Sequence, residues 1–295
     1  QKQKLKRSDS GYALDFIDMV KRILPEIKKN KLKIITNAGG ANPFACREKL
    51  MNLIGDDIKI AVIEGDDIMD KIQDFHSQGI LFKNLDSGNH FSSIKNNLSS
   101  ANAYINSFCI SEALAKGAQI VLAGRVSDPG LVLGPCIYEF GWKENDYDRL
   151  ASGTLAGHIV ECGAQCTGGN FSDWKNVPDL TNIGYPIIKI EANGDFLVTK
   201  NKNTGGLITK ETVSEQILYE MGDPKNYISP DVCVDFTKIS LNEISKNCVK
   251  VTNAKGSKPT DTYKVSISYF AGYKASGQLT ISGPDAYDKA QLTSN

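Results

Sequence analysis

A histidine and a glutamate stand three residues apart in a stretch whose small and apolar residues predict a helix. His158 and Glu161 would share one face of that helix, with Thr154 and Gln165 nearby. Such a pair could transfer a proton to or from a substrate, or could hold a metal ion. A metal would need a third ligand, and the spacing offers only Cys162, which points elsewhere on the helix. The pair therefore predicts acid/base or positioning chemistry, with a buried, hydrogen-bonded structural pair as the alternative.

A second group of candidate residues follows the strands that the sequence predicts. In open α/β sheets, ligands bind beyond the carboxyl ends of the strands. Three such ends carry polar, turn-rich sequence, at residues 37–42, 64–67 and 124–128. Arg125, just past an apolar strand, could clamp a carboxylate or phosphate through two parallel hydrogen bonds. The alternative is a tight turn with a surface arginine.

The first of these turns has features of an anion-binding loop. Gly39 and Gly40 would let the backbone approach a ligand, and the helix that starts after Asn42 would favour an anion at its N-terminus. Asn37 begins the same turn, and Asp128 closes the third turn with a carboxylate. The spacing matches neither a Walker loop nor a dinucleotide-binding fingerprint, so a plain turn is the alternative.

Two more glycine pairs lie in polar turns. They are Gly168-Gly169 and Gly205-Gly206. Either pair could cradle a ligand or act as the hinge of a lid, although most such turns only reverse the chain. We include Gly205 and Gly206 among the predicted binding residues.

Three strand–turn–helix units position these residues. The predicted strands cover residues 32–36, 58–63 and 119–123, and the last two are apolar at nearly every position. Strands buried on both faces occur in parallel sheets that are covered by helices. The sequence therefore predicts an α/β first half with a mostly parallel sheet and flanking helices. The helix before the first strand contains Pro25, which should kink it or mark a restart.

The second half, residues 181–295, is richer in strands and predicts an α+β region. Asn193-Gly194 between two strand-like runs predicts a tight hairpin in which both turn residues take positive φ. Thr212 and Glu215 have capping-box spacing at the start of a short helix. Further strands are predicted at residues 248–252, 263–270 and 278–282. We expect this half and residues 1–180 to fold as a single domain, 1–295.

The predicted helix that carries His158 is unusually rich in small residues. Gly153 and Gly157 lie within it, and each glycine inside a helix costs about 1 kcal/mol relative to alanine. Their presence predicts that something approaches the backbone closely, either another helix or a ligand.

The composition excludes several functional classes. The chain has 295 residues, with 34 Lys+Arg against 34 Asp+Glu and a formal net charge of zero. Such a chain has no field that would hold a nucleic acid. No run approaches about 18 apolar residues, so we expect no membrane span, and no secretory signal is visible. The seven cysteines lack C-x-x-C spacing, which favours reduced thiols in a cytoplasmic protein.

Short motifs spread along the chain resemble one protein family. Among them are Asn37-Ala-Gly-Gly40, Gly65-Asp-Asp67, Ala101-Asn-Ala-Tyr104, Gly124-Arg-Val126, Leu133-Gly-Pro135, Tyr138-Glu-Phe-Gly-Trp142, Ala156-Gly-His-Ile-Val-Glu-Cys-Gly-Ala-Gln165, Thr167-Gly-Gly169, Gly184-Tyr-Pro186, Thr204-Gly-Gly-Leu207, Asp223-Pro224 and Asp261-Thr-Tyr-Lys-Val265. In this order they are similar to the acyclic terpene utilisation (AtuA-like) family. The resemblance covers essentially the whole chain.

The resemblance implies a catabolic role. Relatives are linked to the breakdown of acyclic terpenes such as citronellol and geraniol, whose acids are processed as CoA thioesters, and they often accompany acyl-CoA carboxylases. The resemblance supplies no established reaction, catalytic residue or cofactor. Similar members usually begin with a further strand and turn, and they continue beyond the end of this chain. We therefore expect a fragment that is truncated before Gln1 and after Asn295.

The leading hypothesis is a cytoplasmic enzyme, or enzyme component, that acts on acyclic isoprenoid acids or their CoA thioesters. Asp128, His158 and Glu161 are the predicted acid/base or positioning residues. The predicted substrate-binding residues are Asn37, Gly39, Gly40, Asn42, Arg125, Gly205 and Gly206. The cofactor is left open, and no metal is predicted. The alternatives are an assembly or binding subunit of an acyl-CoA carboxylase system and a small-molecule binder without turnover.

Overall fold

The computed structural model describes Arg7 and residues 9–293. Gln1 and Asn295, on which the expectation of a fragment rests, lie outside the described residues. The helices are α1 (Leu14–Asn30), α2 (Pro43–Ile54), α3 (Ile72–Ser77), α4 (Phe108–Ala115), α5 (Gly130–Phe140), α6 (Tyr147–Val160), α7 (Lys210–Leu218) and α8 (Ala286–Thr293). The strands are β1 (Ile34–Thr36), β2 (Ile60–Ile63), β3 (Leu98–Ala103), β4 (Ile120–Ala123), β5 (Pro186–Ile190), β6 (Phe196–Lys200), β7 (Tyr227–Ile228), β8 (Cys233–Asp235), β9 (Ser240–Ser245), β10 (Cys248–Thr252), β11 (Lys255–Ser257) and β12 (Val265–Tyr269).

A parallel sheet forms the centre of the first half, as predicted. Its strand order is β1-β4-β2, and Ile120 of β4 pairs with Ile34 on one side and Ile60 on the other. Every residue of β4 is buried because α1 and α2 cover one face of the sheet and α4 covers the other. The carboxyl ends of the three strands therefore meet at one edge, which we call the carboxyl edge.

Helix α1 continues through its proline. It runs unbroken from Leu14 to Asn30 with Pro25 inside it, so the predicted restart is wrong. The helix buries Val20 before the proline and Ile27 after it. Packing of these side chains outweighs the loss of one backbone hydrogen bond at the proline.

The second half is antiparallel, which confirms the predicted strand-rich region. One sheet has the order β5-β6-β10-β9 and another the order β11-β8-β7. The predicted hairpin joins β5 to β6, but Gly194 has a φ of +96° whereas Asn193 is not among the residues with positive φ. Glu191 N–H donates to the carbonyl of Asp195, so the loop is longer than two residues. The prediction of two positive φ angles is therefore wrong.

Two local predictions in the second half are also corrected. The capping box of α7 joins Thr209 to Thr212. Glu215 instead accepts the backbone N–H of Ser172 at 2.9 Å. Residues 278–282 form no strand, whereas β12, within the predicted 263–270 strand, pairs antiparallel with β3.

The small residues of α6 accommodate a neighbouring helix. A Cβ atom on Gly153 would lie 2.6 Å from Cδ1 of Leu133, and one on Gly157 would collide with the backbone of Pro129. Both partners belong to α5 or to its N-terminus. The close approach predicted from the glycines is therefore helix packing.

Helix α6 also contacts the second half of the chain. Its Asp148 accepts the backbone N–H of Gly256 in β11 at 3.0 Å. One hydrophobic cluster contains Leu150 and Leu155 of α6 together with Val198 of β6 and Val249 of β10. The helix therefore connects the parallel and antiparallel regions through a shared core.

The structure also bears on the predictions about a membrane span and about the cysteines. Within the described range, no helix combines the length and apolar character needed to cross a membrane. All seven cysteines carry free thiols. Burial raises the pKa of the Cys46 and Cys109 thiols to about 11, so these two side chains are neutral packing groups near neutral pH.

Candidate functional site

Asp66 joins the strand ends at the carboxyl edge. Its Oδ2 accepts the backbone N–H of Arg125 at 2.7 Å and Nδ2 of Asn102 at 2.9 Å. A Cβ atom on Gly124 would lie 2.6 Å from both carboxylate oxygens, so only glycine leaves room for this contact. Asp66 is 6% exposed. It therefore fixes the turn that presents Arg125, a role that the sequence did not distinguish from those of the neighbouring acidic residues.

Asn37 and Asp128 come together at the carboxyl edge because they follow the adjacent strands β1 and β4. Asn37 Nδ2 donates to Asp128 Oδ1 at 2.7 Å. Burial raises the pKa of Asp128; the charge of Arg125 and the Asn37 hydrogen bond oppose the rise, and the Glu220 carboxylate adds to it. A half-buried carboxyl group of this kind can hold a proton and release it to a substrate.

Arg125 lies beside Asp128 with its guanidinium group over an aromatic ring. The Cζ atom is 5.3 Å from the centre of the Tyr104 ring. Within the described residues no carboxylate forms an ion pair with this guanidinium at 4 Å or less. A half-buried arginine in this setting can take an anionic group of a ligand.

His158 and Glu161 form the pair that their spacing predicts. His158 Nδ1 lies 3.0 Å from Glu161 Oε1, and Nε2 lies 3.1 Å from the carbonyl oxygen of Ile217. Each ring nitrogen therefore faces an oxygen acceptor, one from a side chain and one from the backbone. The ring is 2% exposed and both nitrogens are occupied. This geometry favours a positioning role in which His158 orients Glu161.

Two side chains from the second half of the chain, Tyr227 and Glu220, interact with Asp128. Tyr227 packs edge-on against His158, with ring centres 5.6 Å apart. The pKa of its phenol is raised by burial and then by Glu161, Asp128 and Glu220. All three carboxylates therefore act on one phenol, and this group of residues defines the candidate site.

Sequence reasoning missed Tyr227 and Glu220. Both lie after α7, far along the chain from the strand ends, and only the packing of α7 against α6 brings them to Asp128. Glu220 has a φ of +54°, which is uncommon for a residue other than glycine. No sequence signal marks that backbone conformation.

The remaining predicted residues of the first turn contact protein atoms. A Cβ atom on Gly39 would lie 2.7 Å from Cβ of Pro43, and one on Gly40 would lie 2.7 Å from the carbonyl oxygen of Gly11. Asn42 caps α2 by accepting the backbone N–H of Ala45 at 3.3 Å. These contacts explain the residue types by local structure, and a role in ligand binding stays a prediction.

The glycine pair of the second half is also packed against the chain. A Cβ atom on Gly205 would collide with Asp179, and one on Gly206 would lie 2.5 Å from the carbonyl oxygen of Ile183. The contacts of the pair join it to the loop before β5. Its predicted part in binding is likewise untested.

The family is decided by a match along the entire chain. The model of the family described as "Acyclic terpene utilisation family protein AtuA" matches residues 1–295. The chain belongs to this family. No curated protein and no solved structure gives a significant match. Membership of the AtuA family connects the protein to terpene catabolism.

In this AtuA family member, an open groove adjoins the carboxylate group. A cavity of about 280 Å³ is bordered by Gln216 and Tyr219. Gln216 Nε2 donates to the carbonyl oxygen of His158 at 3.0 Å, and the pKa of Tyr219 is raised first by the charge of Glu220. One hydrogen bond and one charge interaction therefore connect the residues of the groove to the candidate site.

A larger cavity of this AtuA protein lies away from that site. It has a volume of about 1060 Å³ and runs beside α4 and α5, with Phe108, Trp142 and Asp231 in its walls. It contains none of the predicted acid/base residues. We place the candidate site at the carboxyl edge because titratable side chains converge there. Among the described residues, no three His, Cys, Asp or Glu side chains are grouped as metal ligands.

Proposed function

We propose that this AtuA family protein is a catabolic enzyme, or enzyme component, that acts on acyclic isoprenoid acids or their CoA thioesters. The carboxyl edge would be its active site. The observation that supports this proposal is Asp128, a half-buried carboxyl with a raised pKa that lies beside Arg125 and accepts a hydrogen bond from Asn37. A cation next to a proton-carrying group suits a substrate with an anionic group and an ionisable carbon or oxygen.

Each residue has a separate role in the proposal. Arg125 holds the carboxylate or phosphate of the substrate, and Asp128 transfers a proton. Asn37 orients the Asp128 carboxyl through its hydrogen bond. Glu161, held by His158, keeps negative charge near Tyr227 and so raises the pKa of that phenol, which leaves it protonated as a hydrogen-bond donor.

The proposal is tested by proton transfer in D₂O. The purified chain is incubated with a ten-carbon acyclic isoprenoid acid and with its CoA thioester, and mass spectrometry measures product formation and deuterium uptake from solvent. Asp128→Asn should lower the rate about a hundredfold or more, the usual size of a general acid/base contribution. Arg125→Gln should raise KM because it removes the group that holds the anion.

Matched substitutions distinguish a chemical role from a general loss of charge. Asp57→Asn and Arg149→Gln remove the same groups from exposed ion pairs elsewhere on the surface, and both should leave the rate unchanged. Absence of turnover and of deuterium uptake with both substrates would refute the enzyme assignment. If the inactive chain co-purified with an acyl-CoA carboxylase, the assembly-subunit alternative would replace it.

A further inference from the structure

Two cations lie against one aromatic ring beside the candidate site. Arg125 Cζ is 5.3 Å from the centre of the Tyr104 ring, and Lys264 Nζ is 5.6 Å from the same centre. Tyr104 follows β3, and Lys264 precedes β12. The Tyr104 N–H donates to the Lys264 carbonyl oxygen at 3.0 Å. Pairing of β3 with β12 therefore fixes the backbones of Tyr104 and Lys264 relative to each other.

Neither cation is neutralised by an ion pair. Lys264, like Arg125, has no carboxylate partner at 4 Å or less within the described residues. The nearby carboxylates have other hydrogen-bond donors: Asp66 accepts from Arg125 N–H and from Asn102, and Asp128 accepts from Asn37. Two like charges near one ring repel each other, and a bound anion would remove that repulsion.

The number of cations indicates the charge of the ligand. A single carboxylate is satisfied by one arginine, which binds it through two parallel hydrogen bonds. A lysine is a mobile point charge that commonly binds phosphate. An arginine and a lysine against one tyrosine ring therefore fit a ligand that carries at least two negative charges, such as a diphosphate or a phosphate monoester.

We infer that Tyr104, Arg125 and Lys264 bind phosphate groups, so that the substrate enters as a phosphate-bearing thioester and not as the free acid. The inference rests on the proposed function, because it names the form of the substrate at that site. Arg125 and Lys264 contact phosphate oxygens, and Tyr104 holds both cations through its ring.

The inference is tested by calorimetric binding to four probes. These are CoA, the CoA thioester of a ten-carbon isoprenoid acid, the matching phosphate-free pantetheine thioester, and inorganic diphosphate. Lys264→Gln should weaken binding of both CoA ligands and of diphosphate about tenfold, the effect of losing one charge-assisted contact. It should leave the pantetheine thioester unaffected. Tyr104→Leu should weaken the same three probes and spare the same one.

Lys189→Gln is the matched control. Lys189 is exposed and lies on β5, in a different sheet. Its substitution by glutamine removes one positive charge, as Lys264→Gln does. The control should leave all four affinities unchanged. The affinities of the wild type for the CoA ligands should also fall with added salt, and Lys264→Gln should make that fall less steep.

Each outcome decides between the two proposals. If the CoA thioester binds and turns over but Lys264→Gln and Tyr104→Leu bind it as tightly as the wild type, the phosphate subsite is refuted and the proposed function stands. If diphosphate and CoA bind through Lys264 but no isoprenoid thioester turns over, the subsite stands and the proposed function fails. Equal weakening of the pantetheine thioester would also refute the subsite, because that probe has no phosphate.

Discussion

The pKa of Asp128 depends on neighbours that act in opposite directions. Arg125 and the Asn37 hydrogen bond lower it, whereas burial and Glu220 raise it. Arg125→Gln removes a favourable charge from the carboxylate form, so the pKa should rise further. Glu220→Gln removes an unfavourable charge, so the pKa should fall. Carbon-13 NMR titration of the carboxyl group measures both shifts, and Asp128→Asn identifies the signal.

The opposite signs make this prediction specific to the candidate site. Glu112→Gln removes a carboxylate from an exposed pair with Lys116 and should not move the Asp128 titration. If neither Arg125→Gln nor Glu220→Gln shifted the pKa of Asp128, burial alone would set it. In that case Glu220 would not belong to the site.

A second buried carboxyl, Asp231, should make stability depend on pH. Its two oxygens accept the Ser107 N–H and hydroxyl at 2.8 Å each, and burial raises its pKa from 3.8 to about 6. The folded state thus binds this proton more tightly than the unfolded state. The resulting stabilisation is full below pH 3.8, is lost as the pH rises through about 6, and amounts to roughly 3 kcal/mol.

Asp231→Asn tests this linkage. An asparagine oxygen can still accept the Ser107 N–H, and the amide can donate to the hydroxyl. The free energy of unfolding of the variant should therefore increase relative to that of the wild type as the pH rises from 4 to 7. Urea unfolding followed by circular dichroism at several pH values measures the difference. A difference that does not vary with pH would contradict the raised pKa.

At the scale of elements, the contact of α6 with α5 depends on a glycine. A Cβ atom on Gly157 would collide with the backbone of Pro129, which cannot move aside as a side chain could. Gly157→Ala should therefore destabilise the protein by about 1–3 kcal/mol through overpacking, although alanine favours a helix by about 1 kcal/mol. Urea unfolding measures the loss. Gly222→Ala is the control, because a Cβ atom there meets no atom within 4 Å.

The sequence predicted elements better than it predicted the site. The apolar runs of β2 and β4 indicate a parallel sheet that is covered by helices. The contact between Asn37 and Asp128 depends on the order β1-β4-β2, which those runs do not specify. Tyr227 and Glu220 were missed because their approach depends on how α7 packs against α6. The hairpin at Gly194 was found, but its loop length was not, since hydrogen bonds outside the dipeptide set it.

At the scale of the whole molecule, the candidate site depends on contact between the two halves. Asp128 belongs to the parallel region, whereas Glu220 and Tyr227 come from the strand-rich region. The cluster around α6 contains buried side chains from both regions. If that shared core makes the halves cooperative, the site forms only when both are folded, and loss of either half removes it.

Hydrogen exchange tests this cooperativity. Leu155 of α6 is fully buried in the shared cluster, and Leu155→Ala should cost roughly 2–5 kcal/mol. If the chain unfolds as one unit, the amides of β4 and β10 should lose the same protection, because both exchange through global unfolding. Leu50→Ala, in the separate cluster of α1 and α2, should have the same effect on β10. Unchanged protection of β10 in Leu50→Ala would show that the halves unfold independently, and the single domain over residues 1–295 would then be wrong.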